Sequence, residues 1–579
     1  MPNIIVLARG RNDLHPLGII APVNHRNRHR ESKHVHWDLI NEPSVFDPKR
    51  IFEGPRSAQD PHELAAFRSW VKERHRDIAL LQARWNMTPE QLSSFEAITL
   101  PEAEEINFDV QDMRNGKKGT RWLDYSLFGM DMFNAWAREM NATLRSLQPK
   151  QMITVGQDEA LSAQRPSTHF YESVADYTTN HSWWLNDQLV WDGLFSKTSA
   201  KSNLIQETGI MYVETPDGRA KRSEEELRDL LERKYAYAFA TGGAGAVQWI
   251  WNTNYYMDNV NESNIGALRA DGTEKPEADV CYDFGRFIEQ VSDLFVGCQV
   301  EDIAVVYPYS NDLSNRRVAA EATSRLTRVL AYDMKVHFRA LGEYDLKELR
   351  THPAKLIVVP SPHNFGDEAF SELIQIVEET GATLLYTGPL NLDAYWQPAA
   401  RLSRHTGEVK LSNVLREEAF VCGDDIVPVS FGQRKIAELC KEAPCGINGE
   451  AVMPKVLEWS QGKGRVVWCG LPVELSDRTD AIGILYGHVL KTCGLKQELE
   501  WLAGGDNSGL YGRKLRFEDG ALYIFVSEYG YPANVAVRDP EHGGTYCFQL
   551  EPGRIAMFAV DADGALRAVY RKQQVEFKA

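Results

Sequence analysis

The chain has 579 residues and a formal net charge of −17 at pH 7. This length predicts about three or four domains, and the acidic balance argues against a nucleic-acid partner, because phosphate binding draws on an excess of Lys and Arg. Hydrophobic residues make up 43% of the sequence, which is ordinary for a globular protein. No apolar stretch reaches the roughly 20 residues that a membrane span needs, so we expect no membrane partner.

The amino-terminal residues lack the apolar core of a signal peptide, and a basic, polar stretch follows from Arg9 to Arg30. The eight cysteines are scattered without a CxxC pair, and Cys440 and Cys445 have no nearby His. Scattered thiols indicate reduced cysteines in a cytoplasmic protein. We therefore predict a cytoplasmic location, no cofactor and no metal.

The first informative element is an apolar run that ends in polar residues, over 36–43. A short buried-strand pattern stops at Asn41 and Glu42, and Pro43 forces the chain out of the strand. A parallel strand that delivers an amide and a carboxyl group to its carboxyl end is typical of barrel enzymes. A helix cap or a solvated loop carboxylate is the structural alternative for Glu42.

A second site of the same kind lies downstream, where the run over 202–209 carries Glu207. Retaining glycoside hydrolysis needs two carboxyl groups, one as acid/base and one as nucleophile. Three further apolar runs, over 151–157, 177–184 and 245–252, alternate with amphipathic helical stretches. This alternation predicts a parallel α/β barrel.

Asn41-Glu42-Pro43 on one strand end, with Glu207 on a later one, resembles clan A of the glycoside hydrolases. The resemblance implies a (β/α)8 TIM barrel in which the five runs are strands 4 to 8. It assigns Glu42 as acid/base and Glu207 as nucleophile of a double displacement. It also implies that Asn41 contacts the sugar 2-hydroxyl.

The same resemblance implies further substrate contacts. His181 would lie beside the nucleophile, and Trp251, at the end of the predicted eighth strand, would stack on the sugar, whose C–H faces are apolar. Trp183 and Gln157 are candidates for substrate binding. Barrel-core packing is the alternative for each Trp. Asp158 and Glu159 are also near a strand end, but loop capping or ion pairing is the simpler interpretation for them.

The rest of the chain resembles family 42 glycosidases of the β-galactosidase type. The patterned segment after the first glutamate, with Trp70 and Trp85, matches the insertion of that family. We expect a barrel over 1–299, an amidotransferase-like doubly wound α/β domain over 300–500, and a small β-sandwich over 501–579. The residue after the third predicted α/β strand is Gly388, so no thiol is available there and we expect a catalytically silent domain.

Two features depart from the family pattern. About 36 residues precede the predicted fourth strand, whereas three βα units need roughly 90. We therefore expect a truncated barrel that lacks strands 1 to 3, with uncertain activity, in which 26–36 forms the end of a helix. In addition, family 42 usually places an aromatic residue after the acid/base, whereas Pro43 is more typical of family 5.

The predicted function is thus a retaining β-glycosidase that hydrolyses terminal bonds of an oligosaccharide or glycoside. The alternatives are a β-mannosidase or β-glucanase of the same clan, and a truncated, inactive carbohydrate-binding relative. A metal-dependent hydrolase needs several strand-end ligands, and only His181 is available among these strands. A Schiff-base aldolase needs a Lys at a strand end, and none of the five predicted strands ends in one. The resemblance also implies a homo-oligomer, through the α/β domain.

Overall fold

The structure is a computed structural model, and it describes the chain in ten segments. These are residues 36–45, 56–103, 105, 120–147, 150–159, 165–254, 256–432, 439–541, 543–572 and 575–578. The predicted helix end over 26–36 lies almost wholly outside the described residues. In the described part of the chain, no helix combines the length and apolar character that crossing a bilayer requires.

Five parallel strands follow one another in the amino-terminal half. They are β1 (His36–Asn41), β2 (Met152–Gly156), β3 (Thr178–Ser182), β4 (Asn203–Thr208) and β5 (Ala246–Gln248). β1 pairs with β2, and β3 pairs with β4, which pairs with β5. The hydrogen bond from His181 N to Gln157 O, 2.8 Å, joins the two groups. The predicted strand order is confirmed.

The five strands curl into part of a barrel wall. Asp38 on β1 accepts a hydrogen bond from Gln206 on β4 at 3.3 Å, although two strands lie between them. A contact of this kind requires both side chains to point into a concave interior. Among the described residues, β1 and β5 have no strand on their outer edges, and both are half-buried along their length.

Helices separate these strands, as a parallel arrangement requires. Their bounds are Pro61–His75, Ile78–Trp85, Thr120–Leu147, Thr168–Tyr171, Leu189–Phe195, Glu224–Ala240, Val260–Ser263 and Pro276–Val291. Local sequence sets their starts. Asp60 caps the first helix and Pro61 occupies its first turn. Ser223 and Glu226 form a capping box at the sixth.

The insertion after β1 is attached to the rest of the molecule through a buried carboxylate. Asp124, fully buried, accepts hydrogen bonds from His75 at 2.9 Å, Trp85 at 2.7 Å and Tyr395 at 2.6 Å. Tyr395 belongs to the α/β domain. Burying a charge is costly unless it is paired and hydrogen-bonded, so this contact explains why the insertion helices pack where they do.

The second half begins with a six-stranded sheet of order β14-β15-β9-β8-β6-β7. The strands are β6 (Ile303–Tyr307), β7 (Arg339–Gly342), β8 (Leu356–Val359), β9 (Thr383–Thr387), β14 (Leu457–Gln461) and β15 (Gly464–Cys469). The principal helices are Tyr309–Arg328, Asp367–Thr380 and Thr479–Thr492, with short helices at Glu348–Thr351 and Ser403–Thr406. Short apolar runs in the sequence, over 303–307, 356–360, 383–388 and 466–469, predict β6, β8, β9 and β15, and these four strands are confirmed.

Two corrections follow for this domain. The sheet is mixed and not wholly parallel, because β14 runs antiparallel on the edge. β7 was not predicted, so Gly388 follows the fourth strand in chain order. The third strand is β8, and the residue two positions beyond it is Ser361, with φ 47°. Two hairpin-like pairs also emerge from this domain: β10 (Val409–Asn413) with β13 (Cys440–Pro444), and β11 (Glu417–Cys422) with β12 (Asp425–Ser430).

The carboxyl-terminal part is a sandwich of two four-stranded antiparallel sheets. One contains β17 (Leu510–Phe517), β18 (Gly520–Ser527), β21 (Ile555–Asp561) and β22 (Leu566–Val569); the other contains β16 (Glu500–Ala503), β19 (Ala533–Arg538), β20 (Thr545–Leu550) and β23 (Glu576–Lys578). Their facing side chains share one apolar core. The predicted small antiparallel domain is confirmed, whereas the exact domain boundaries stay predictions.

A buried ion-pair group joins the sandwich to the barrel helix Glu224–Ala240. Glu232, fully buried, accepts hydrogen bonds from Arg554 at 2.5 and 2.7 Å, from Arg571 at 2.8 Å and from Tyr570 at 2.9 Å. Breaking a buried pair of this kind by removing one partner costs roughly 3–5 kcal/mol. The sandwich therefore stabilises the barrel helix against which it packs.

Candidate active site

Glu42 follows directly after β1 in a backbone conformation that non-glycine residues rarely adopt. Its φ is 46°, and holding such a conformation costs on the order of 1–3 kcal/mol. Its N–H donates to Gly156 O at 2.7 Å, across from β2. The strand stops here because Pro43 cannot donate to a ladder. The turn thus aims the Glu42 side chain away from the strand direction.

Glu207 lies on β4, in register with His181 on β3. The register shifts between Asn180 and His181, and a bulge of this kind re-aims side chains near functional sites. The structure brings the three predicted residues together. His181 Nδ1 lies 2.8 Å from Glu42 Oε1 and 3.3 Å from Glu207 Oε2.

One imidazole nitrogen therefore bridges the two carboxylates, and an oxygen of each lies within 4.8 Å of the other. The His181 side chain is 1% exposed, while the Glu42 and Glu207 side chains are 30% and 12% exposed. Burial opposes charging of the imidazole, but the hydrogen bond with Glu42 and the charge of Glu207 raise the pKa of His181 above its usual value. The pair of carboxylates is thus reachable from solvent, and the imidazole beneath it is not.

An ion pair that the sequence did not reveal supports the Glu42 turn. Arg165 Nη1 donates to Glu42 O at 2.5 Å and to Pro43 O at 3.3 Å. Arg165 Nη2 pairs with Asp158 Oδ2 at 2.6 Å. Burial and the charge of Glu42 both raise the pKa of Asp158. Asp158 thus acts in an ion pair, as the simpler interpretation held, and this pair touches the main chain of the candidate acid/base.

Three side-chain amides near the strand ends have buried oxygens without a hydrogen-bond partner among the described residues. They are Asn41 Oδ1, Gln157 Oε1 and Gln206 Oε1. A buried acceptor without a partner costs free energy, and a hydroxyl group of a bound ligand would satisfy it. Asn41 and Gln157 were predicted as site residues. Gln206 was missed, although its position beside Glu207 and its contact with Asp38 place it in the concave interior.

The predicted aromatic contacts have a mixed outcome. β5 ends at Gln248, not at the predicted Asn252, and the Trp249–Ile250 peptide bond is cis. Trp251 is therefore in the loop beyond the strand, where its ring packs edge-on against Tyr282 with centroids 5.7 Å apart. Trp183 is only 5% exposed. The substrate-binding roles of Trp251 and Trp183 stay predictions.

Glu42, His181 and Glu207 also form a set of donor atoms that could hold a metal ion, since one nitrogen and two carboxylate oxygens lie within 4.8 Å of one another. Such donors suit a divalent cation. The same atoms suit proton transfer and nucleophilic attack, because a carboxylate pair at close range pushes the pKa values of its two members apart. The two chemistries are separable by experiment.

The family model Glyco_hydro_42, described as Beta-galactosidase, matches residues 36–280, which include Glu42, His181 and Glu207. A search of curated proteins found no significant match.

Solved structures resemble nearly the whole chain. Gan42B, a GH42 beta-galactosidase from G. stearothermophilus, aligns with a TM-score of 0.70 at 13% identity over 92% of this chain and 80% of its own. The beta-galactosidase from Bacillus circulans sp. alkalophilus aligns with a TM-score of 0.68 at 13% identity, over 99% of this chain and 84% of its own. The beta-galactosidase from Halorubrum lacusprofundi aligns with a TM-score of 0.66 at 15% identity, over 94% of this chain and 81% of its own. At these identities the likeness establishes the fold.

Proposed function

We propose that the chain is a retaining, β-galactosidase-like glycosidase that cleaves terminal β-glycosidic bonds, since residues 36–280 match the model of glycoside hydrolase family 42. One observation carries the proposal: a single His181 nitrogen contacts both Glu42 and Glu207. Retaining enzymes hold their two carboxyl groups about 5 to 5.5 Å apart. Carboxylate oxygens within 4.8 Å of each other fit that requirement.

In the first step, a carboxylate oxygen of Glu207 attacks the anomeric carbon and forms an ester bond with the sugar. The bond from this carbon to the leaving oxygen breaks, and the Glu42 carboxylic acid gives its proton to that oxygen. An alcohol leaves. Glu42 carries the proton and Glu207 the charge, because two like charges at close range disfavour each other.

In the second step, Glu42, now a carboxylate, takes a proton from water, and the resulting hydroxide attacks the anomeric carbon. The ester bond breaks and Glu207 regains its charge. While the ester exists, Glu207 is neutral and no longer repels a negative charge on Glu42, which can act as a base. His181 Nδ1 hydrogen-bonds to Glu42 and lies 3.3 Å from Glu207, so it would keep the two carboxylates facing each other.

The remaining predicted site residues complete this proposal. Asn41 and Gln157 would accept hydrogen bonds from sugar hydroxyls through their buried, unpartnered oxygens. Hydrogen bonds of this kind to the 2-hydroxyl strengthen as the ring approaches its oxocarbenium form. Trp251 would stack on the apolar face of the sugar.

The architecture is also part of the proposal. β1 to β5 would be strands 4 to 8 of a (β/α)8 barrel. The domain over 300–500 would be amidotransferase-like and catalytically silent, and would hold copies of the chain together as a homo-oligomer. Light scattering of the purified chain tests the last point, since a monomeric mass contradicts it.

A substrate screen tests the activity. The nitrophenyl β-galactoside, β-glucoside, β-mannoside and β-xyloside are assayed with the wild-type chain and with Glu207→Gln. We expect the highest kcat/KM for the galactoside, and a mannoside or glucoside preference would favour the family 5-like alternative. Sugar binding by calorimetry without turnover of any of the four would indicate the inactive carbohydrate-binding relative instead.

A metal-dependent hydrolase is the second candidate, because the three donor atoms also suit a divalent cation. Exhaustive dialysis against a chelator distinguishes the two. The double-displacement proposal expects unchanged turnover after dialysis, whereas loss of activity with recovery on adding zinc or manganese would favour the metal enzyme.

A further inference from the structure

The loop after β3 is fixed from two sides by charged groups. Glu159 accepts hydrogen bonds from three successive backbone N–H groups: Trp183 at 2.6 Å, Trp184 at 2.7 and 2.8 Å, and Leu185 at 3.3 Å. Such a concave row of N–H groups is an anion-binding arrangement. Here the anion is a side chain of the protein itself, contributed by the loop after β2.

A lysine fixes the same loop from below. Lys234, 1% exposed, donates to Ser182 O at 2.9 Å, Trp183 O at 3.2 Å and Gly209 O at 3.1 Å. Its Nζ also lies 5.9 Å from the centre of the Trp183 ring. Burial lowers the pKa of Lys234 to about 8, against the attraction of Glu159. Burying two opposite charges is costly unless their hydrogen bonds are satisfied.

The contacts of Glu159 and Lys234 with this loop hold one large side chain in an exposed position. Trp184 is 57% exposed, whereas its neighbour Trp183 is 5% exposed. A loop that merely connected two elements would need neither charge, and an exposed indole on a rigid backbone loses little conformational freedom when a ligand stacks on it.

The location of Trp184 relates it to the carboxylate pair. It is three residues beyond His181, so at most about 11 Å separates their Cα atoms. His181 in turn contacts both glutamates. The sugar that reacts must lie between those glutamates, and a sugar on the far side of the scissile bond would lie at the mouth of the site.

We propose that Trp184 is the stacking platform for the leaving-group sugar, so that the chain acts on β-linked oligosaccharides in preference to simple glycosides. This inference rests on the proposed glycosidase function and deepens it. The indole of Trp184 presents a flat apolar surface, which suits the apolar C–H face of a pyranose ring. Glu159 and Lys234 are positioning residues, since they act through the loop backbone.

The test compares two substrates that differ only in their leaving group, a β-linked galactosyl disaccharide and β-galactosyl fluoride. Fluoride has no ring to stack. For Trp184→Ala we expect the ratio of kcat/KM for the disaccharide to kcat/KM for the fluoride to fall about tenfold, in keeping with the free energy of one aromatic contact. Trp184→Phe should restore most of the ratio. Tyr531→Ala, which removes a 69% exposed ring from the sandwich, is the matched control.

A second measurement uses the covalent intermediate. With glucose added to the fluoride reaction, the glycosyl-enzyme divides between transfer to glucose and hydrolysis, and Trp184→Ala should reduce the transferred fraction. Glu159→Gln should change both readouts in the same direction, to a smaller extent.

Four results would overturn the inference. The first is an unchanged ratio in Trp184→Ala. The second is a change of oligomeric mass in that variant, which would make Trp184 a contact between copies of the chain. The third is a wild-type chain that turns over neither substrate, which would also overturn the proposed function. The fourth is a wild-type chain that turns over the fluoride alone, which would leave that function intact and overturn only this inference.

Discussion

Glutamates stand at the carboxyl ends of parallel strands in two regions of this molecule, with very different surroundings. In the barrel arc, Glu42 and Glu207 share one imidazole nitrogen, and both side chains are partly exposed. In the α/β domain, Glu474 is fully buried and accepts hydrogen bonds from Ser361 at 2.5 Å, Thr387 at 2.6 Å and Tyr486 at 2.6 Å.

Glu343, after β7, repeats the second pattern. It is 1% exposed and accepts hydrogen bonds from Ser310 N at 2.7 Å, Ser310 Oγ at 2.6 Å and Gly366 N at 2.7 Å. The cleft at the carboxyl ends of such a sheet is where doubly wound domains usually bind ligands. Here the chain's own carboxylates occupy the donors that a ligand would use.

The difference teaches that position on a strand does not by itself make a carboxylate reactive. A carboxylate saturated by buried donors is a structural group, because any reaction would leave those donors unpaired. A carboxylate that is partly exposed and faces a second one across an imidazole can be reached by a ligand. The same contrast applies to Ser361, whose strained backbone resembles a nucleophile turn while its hydroxyl is buried and donates to Glu474.

The largest effect should come from Glu207→Gln. Removing a nucleophile that acts together with an acid/base lowers kcat by roughly 10⁴-fold or more, measured with nitrophenyl galactoside. Glu474→Gln is the matched control and should retain activity per folded molecule. Comparable losses in both variants would contradict the distinction between the two regions.

The free energy of unfolding, unlike the activity, should depend strongly on Glu474. Glu474→Ala leaves three buried hydroxyl groups without their acceptor, and we expect the free energy of unfolding to fall by about 3 kcal/mol. Urea unfolding followed by fluorescence measures the change. The exposed pair of Glu500 with Arg538 supplies the control, since Glu500→Ala should cost less than about 1 kcal/mol. Equal costs would sink the assignment of Glu474 as a structural carboxylate.

Arg165→Met should lower kcat/KM by about 30-fold, because Glu42 loses the group that holds its main chain in place and small displacements of a catalytic group are costly. Asp158 would then lose the neighbouring charge that lowers its pKa, so the pH profile of kcat/KM should move to higher pH. Arg165→Lys should recover part of the rate. A variant with normal rate and profile would remove Arg165 from the site.

The smallest effect distinguishes two buried histidines. The raised pKa of His181 means that its contribution to stability is complete below about pH 6.5 and is lost as pH rises through its folded-state pKa. Burial lowers the pKa of His337 to about 4, so its contribution is complete above about pH 6.5 and is lost as pH falls. His181→Asn should reduce the fall in the free energy of unfolding as pH rises above about 6.5. His337→Asn should reduce the fall as pH drops below about 6.5. Exchanged or unaffected slopes would contradict these directions.

Much of the barrel arc was predictable because each strand is an apolar run that stops at polar residues. β1 to β4 lie within one or two residues of the predicted runs. β5 was predicted too long because Trp249 to Asn252 has the composition of a strand, whereas its backbone leaves the sheet at Gln248. β7 was missed because it has four residues and begins with Arg339, which gives neither alternation nor an apolar run.

The site was predictable only where chemistry and strand ends coincide. Glu42, Glu207 and His181 met that condition. Arg165 did not, since it belongs to no strand and its partners are backbone carbonyls, which leave no mark on sequence. The sequence also could not distinguish Trp183 from Trp184, because which of two adjacent rings is exposed depends on the distant Glu159 and Lys234.

The junction around Glu232 has a practical consequence for anyone who wishes to reduce this chain to a minimal catalyst. Deleting the sandwich would remove Arg554 and Arg571 from Glu232 and would expose the side of the barrel helix against which β18 and β21 pack. A shortened chain would therefore need polar replacements for the apolar residues on that side. A deletion at the carboxyl-terminal end of the chain therefore changes the surroundings of a helix in the barrel.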